Sequence, residues 1–113
     1  MVVEVASSEP TEHVLKKGRA FLCRETTIQI VIIILIRPDL ADSLQLWKIQ
    51  RDRTDLHFRL GDPNCIAMGD PNFQLRLPVR LLFDGAPIPP AIVGVENMVF
   101  DLFSFKREFL CLP

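Results

Sequence analysis

The chain has no tyrosine, one tryptophan and only two histidines. Each scarcity excludes a class of chemistry. His13 and His57 stand far apart, and neither has a second histidine or a cysteine at close spacing; one carboxylate–imidazole pair such as Asp55–His57 is not a site, so no metal or other cofactor is expected. No aromatic residue is interleaved with Arg76 and Arg80 on the solvent face expected for the strand at 73–83, and no tyrosine is present anywhere to stack a nucleobase. Thirteen basic residues against fourteen acidic leave a formal charge of −1. A nucleic-acid partner is therefore not expected, because phosphate binding needs a basic excess or a clustered basic face. Arg76 and Arg80 offer only a small basic stripe on the solvent face of the strand at 73–83, and Lys106-Arg107 is a separate basic pair.

The three cysteines, Cys23, Cys65 and Cys111, are odd in number, and no two have CxxC spacing. They read as free thiols in a reducing compartment, and a cytoplasmic location is expected. The opening MVVEVASSEP has no basic n-region, so no secretory signal is expected in it. The longest apolar run, Ile28 to Ile36, has nine residues. As a helix it would cover about 13 Å against a hydrocarbon core of about 30 Å, so no membrane span is expected. The phosphate loops GxxxxGK[ST] and GxGxxG and the nucleophile elbow GxSxG are absent. Asp39/Asp42 and Asp52/Asp55 fall in polar stretches where caps and turns use carboxylates. Trp47 and the cysteines also miss immunoglobulin spacing: residue 63, where that pattern needs a tyrosine, is proline.

What the chain does have is apolar material. Hydrophobic residues make up 49% of 113, too many for a disordered chain. The mean hydropathy of +0.24 is high for a domain this small. A small globule leaves much of its surface in water, so a surplus of this kind points to an apolar patch covered by a partner or another copy.

The pattern along the chain is that of short strands. Residues 1–11 read as a loose leader or a short edge strand through Val2, Val3 and Val5, and residues 12–113 as a single β-rich domain. A turn at Lys17-Gly18 and a strand from Arg19 to Cys23 are expected. Residues 26–36, apolar on both faces and rich in β-branched side chains, make the central strand. A helical turn near 39–44 leads into a strand at 44–50, a charged turn covers 51–55, and Leu56, Phe58 and Leu60 alternate with His57 and Arg59. Gly61-Asp62-Pro63-Asn64 recurs as Gly69-Asp70-Pro71-Asn72, which predicts two tight turns. Residues 73–83 alternate throughout, with Pro78 marking an edge or bulge. A turn follows at Asp84-Gly85, then a short strand at 91–95. Residues 97–112 hold Phe100, Phe103, Phe105 and Phe109, and strand is favoured narrowly over helix.

The expected fold is mainly β: a small single-domain β-sandwich or barrel-like sheet. The alternative is α+β with a helix near 39–50 and/or 97–110. The expected function is non-enzymatic. It is a protein-interaction or assembly domain that self-associates or docks on a larger complex. Its contact patch is Phe100, Phe103, Phe105 and Phe109, with Trp47 as a second anchor. A small apolar-ligand-binding β-barrel ranks second. An enzyme with a diffuse site at Asp55, His57 and Arg59, or with a reactive Cys23 beside Arg24, ranks lower. So does a fragment that folds poorly alone, since VIIILI is an aggregation-prone window.

Overall fold

The computed structural model describes residues 1–23, 27–37, 43–51, 53–83 and 86–110. Strands dominate a mixed α/β structure that divides into two compact units, Met1–Gly61 and Asp62–Pro113. Their sheets have four and two strands, and neither closes into a barrel among the described residues. No helix among them is long and apolar enough to cross a membrane.

The first unit is one four-stranded sheet carrying a helix. Strand β1 (Val2–Ala6) leads to helix α1 (Thr11–Ala20) and then β2 (Ile30–Ile36), which pairs parallel with β1. Parallel neighbours need a crossover, and α1 supplies it. Antiparallel β3 (Leu44–Gln50) and β4 (Arg53–Arg59) complete the order β1-β2-β3-β4. The run at 30–36 is thus an interior strand, as its apolar faces predict. Val31, Ile33 and Leu35 join Val14, Leu22, Trp47 and Ile49 in the core under α1, and Ile30 and Ile32 are buried on the opposite face. The expected helical turn at 39–44 falls largely outside the described residues. From Leu44 onward the chain is strand, so the alternative helix to residue 50 does not form.

Helix α1 corrects the expected turn and strand at 17–23. Gly18 reads locally as a turn, yet here it is buried in the helix, because α1 lies close on β2. A Cβ at Gly18 would fall 2.4 Å from Ile33 Cδ1 and 3.2 Å from its Cγ1. Glycine costs a helix interior about 1 kcal/mol, and the close packing of Val14, Leu15 and Phe21 onto the sheet offsets it. On the wet side, Glu9 and His13 pair at 3.0 Å, and Lys17 reaches Glu4 at 3.0 Å and Glu9 at 3.5 Å. The helix closes with 3₁₀-type bonds from Phe21, Leu22 and Cys23 to Gly18, Arg19 and Ala20.

The second unit is built on a two-stranded ribbon, β5 (Gln74–Pro78) against β6 (Asn97–Asp101). Both Gly-Asp-Pro-Asn copies are tight turns of the same construction. Asp62 Oδ1 accepts from Asn64 N at 2.9 Å and Asp70 Oδ1 from Asn72 N at 3.0 Å, and each aspartate carbonyl closes its turn on the residue three along. The alternation at 73–83 carries a strand only as far as Pro78. The short helix α2 (Val79–Leu82) begins directly after Pro78, with Val79 N still donating across to Glu96 O at 3.0 Å. The expected strand at 91–95 is instead a 3₁₀ turn, Pro90–Ile92, followed by Gly94 at φ +88°. Proline fixes the first dihedral, and the left-handed glycine breaks an extended path. The turn expected at 84–85 and Cys111 lie outside the described residues.

The aromatic segment at 97–112 is neither all strand nor all helix. It is β6 followed by α3 (Leu102–Leu110), with the change at Asp101. The Asp101 carboxylate accepts from Ser104 N at 3.0 Å, capping the helix, and from Gly69 N at 2.6 Å.

Candidate functional site

The five residues expected to form a contact patch are divided between the two units, Trp47 in the first and the four phenylalanines in the second. Trp47 lies on β3 in the core of the first unit, 6% exposed, and stacks on His57 with ring centroids 4.4 Å apart and planes 9° from parallel. Its indole packs as core. The four phenylalanines belong to the second unit. Phe100 is on β6 and 48% exposed; Phe103, Phe105 and Phe109 are half-buried on α3. As a strand, Phe103, Phe105 and Phe109 would share a face. At about 100° per helical residue, Phe103 and Phe105 diverge by about 200°. The structure brings together Phe105 and Phe109, whose centroids are 6.3 Å apart, on the stripe of buried Leu102.

Two of the large apolar side chains that the second unit exposes lie on the ribbon, and Ile66 and Val93 lie elsewhere in it. Phe100 pairs with Leu75, and Val99 with Arg76, so Phe100 and Val99 project from opposite faces of β6. Both are about half exposed, and Met68 and Leu110 are each 63% exposed. A shallow cleft of about 380 Å³ is lined by Met68 and by Ser104, Arg107 and Glu108 of α3. An isolated two-stranded ribbon is marginal in water. Here it is held by Asp101, by Val79 N donating to Glu96 O at 3.0 Å, and by Lys106 Nζ donating to Cys65 O at 3.3 Å. Backbone donors on Gly69 and Ser104 hold the Asp101 carboxyl below the usual carboxylate range. Burial pushes the Cys65 thiol up, against the opposing pull of the Lys106 ammonium.

A second cleft, of about 350 Å³, opens in the first unit where the end of α1 meets the β3–β4 hairpin. Arg19, Arg51 and Arg53 line it above Leu22 and Ile49. The arginines have structural tasks. Arg51 donates to Gln29 Oε1 at 3.2 Å and to the carbonyls of Leu22 and Cys23 at 3.2 and 3.0 Å, clamping the end of α1 to the hairpin. Arg53 pairs with Asp55 at 3.4 Å. Arg19 sits in the last turn of α1, where a cation complements the carbonyl end.

Asp55 also explains a buried charge. The β3–β4 register slips between Lys48 and Ile49, leaving Asp55 as the extra residue on β4. This bulge aims its carboxylate at Lys48 Nζ, 2.5 Å away, and Lys48 is 2% exposed. His57 is occupied elsewhere, with Trp47 and with Gln45 Oε1 at 2.8 Å. Asp55 and His57 are thus drawn to separate partners. Arg76 stands on β5 with its side chain on Gln74, while Arg80 is on α2, so the expected basic stripe does not share a strand. Arg24, the neighbour expected to activate Cys23, is outside the described residues. Among the described residues no three His, Cys, Asp or Glu side chains gather as a metal site.

Sequence patterns missed α1, the Lys48–Asp55 pair and the Arg51 clamp. The row Glu9, His13, Lys17 at four-residue spacing was the available signal for the helix. A bulge leaves no such signal. Comparison of the chain with protein families, with curated proteins and with solved structures gives no match.

Proposed function

We propose that this chain is a non-enzymatic interaction and assembly domain that associates through the apolar surface of β6 and α3 with a second copy or a protein partner. The observation that carries the proposal is the exposure of Val99 and Phe100 on opposite faces of a two-stranded ribbon. An interaction surface needs apolar side chains that folding leaves uncovered. Phe100 and Val99 of β6 and Leu110 at the end of α3 meet that need; Trp47, packed in a core, does not. The β-sandwich expected from strand spacing, a reducing cytoplasmic setting and a protein rather than nucleic-acid partner are part of the same proposal.

The test is the solution mass of the full chain by light scattering on a sizing column. A discrete species above 12.9 kDa that Phe100→Ser shifts toward monomer supports the proposal. A mass unchanged by Phe100→Ser and Val99→Thr removes β6 as the contact. Point variants are the right probe, because truncation after Asn97 deletes the strand that pairs with β5.

A further inference from the structure

The two edges of the four-stranded sheet are built differently. Outer strand β4 exposes Arg53, Thr54, Asp55, His57 and Arg59 and carries the Asp55 bulge. Charge and bulges are the devices by which edge strands resist pairing with other chains. Outer strand β1 has no bulge, and a single charge that is already paired. Its ladder with β2 runs unbroken from Val2 to Ala6, and it contains no proline. Its one charge, Glu4, is paired with Lys17 at 3.0 Å. Val3 and Val5 are 50% and 58% exposed, and Met1, on the same parity, is 49% exposed. No described strand pairs with its outer side.

We propose that the outer edge of β1 pairs antiparallel with β1 of a second copy, in a register centred on Val3, joining the two sheets into one. The occupant follows from self-complementarity. In antiparallel pairing, residues directly opposite share a face. A two-fold axis at Val3 sets Val3 against Val3 and Val5 against Met1, so each exposed apolar side chain meets another. The same register sets Glu4 against Val2. Centring on Glu4 would instead oppose two carboxylates, which is unfavourable. A two-fold pairing consumes one edge per copy, and the outer edges that remain are both the charged β4, so the assembly closes as a dimer. A five-residue ribbon is small beside the roughly 1,200–2,000 Å² of a stable interface, so the dimer is reversible and concentration-dependent. The occupant shares the self-association invoked for β6 and α3, but the surface is different, and the two fail separately.

The experiment uses the full chain with Cys23→Ser and Cys111→Ser, and Val3→Cys as the reporter. A short bismaleimide linker is added across a dilution series, and covalent dimer is read by intact mass. The expected result is efficient Val3→Cys dimer, much less from Glu4→Cys, and a drop of about tenfold or more when Val5→Lys is added, because a cation replaces an apolar pair. Absence of Val3→Cys dimer at high concentration overturns the proposal, as does a yield indifferent to Val5→Lys. Solution masses of Val3→Lys/Val5→Lys and Phe100→Ser separate the surfaces. Loss of the dimer in the first alone supports the β1 edge and removes β6; loss in the second alone does the opposite. Far-UV circular dichroism checks that the lysine variant keeps its fold.

Discussion

At the scale of single residues, three side-chain positions are constrained by what they touch. Gly18 sits so close to Ile33 that any Cβ there would force the buried Ile33 side chain to shift. Gly18→Leu is expected to lower stability by about 1–3 kcal/mol through overpacking, measured by urea unfolding. Lys48 is buried against Asp55. Asp55→Asn should cost about 2–3 kcal/mol, because it leaves an ammonium out of water with a neutral partner. Lys48→Met should cost about 1 kcal/mol or less, because it removes the buried charge altogether. Equal losses in the two variants would contradict the burial of Lys48. Asp101 titrates below the usual carboxylate range because Gly69 and Ser104 donate to it. Its folded form is therefore favoured when ionised. That contribution is present at neutral pH and is lost as pH falls through the depressed value. Asp101→Asn should melt lower than the parent at neutral pH and converge with it in acid, a difference read from thermal melts across pH.

At the scale of elements, junctions matter more than element interiors. The end of α1 is held to the β3–β4 hairpin by Arg51, whose guanidinium spans Gln29 and two carbonyls. Arg51→Ala is expected to destabilise by about 1–3 kcal/mol, with amide exchange accelerated first at Phe21, Leu22 and Cys23. Elements with strong local chemistry were legible in sequence: β2 from its β-branched run, β4 from its alternation, and both Gly-Asp-Pro-Asn turns from aspartate and proline. Elements whose local chemistry points elsewhere were not. Gly18 resembles a turn and serves as a contact. The alternation after Pro78 resembles a strand, yet the chain turns there into α2.

At the scale of the whole molecule, apolar surplus and low net charge make association driven by surface burial the expectation. Such association persists as salt rises, since screening acts on exposed charges and leaves apolar burial intact. The apparent mass on a sizing column should therefore hold between low and high sodium chloride; dissociation at high salt would place charge pairs at the contact instead. The candidate contact residues were legible only in part. Sequence picked out the phenylalanines because they cluster along the chain. It could not say that α3 would turn Phe103 away from Phe105, or that Trp47 would pack under α1 and against His57.

The sequence by itself determined that strands would dominate, that residues 30–36 would be covered on both faces, and that aspartate-proline turns would punctuate the second half. These follow from side-chain branching, alternation and backbone restriction, which act within a few residues. Only the tertiary structure decided that β1 and β2 run parallel beneath a helix, that Asp55 is bulged toward Lys48, and that one sheet edge is charged while the other is apolar. Those outcomes depend on which strands become neighbours, and strand pairing is set by contacts between residues far apart along the chain.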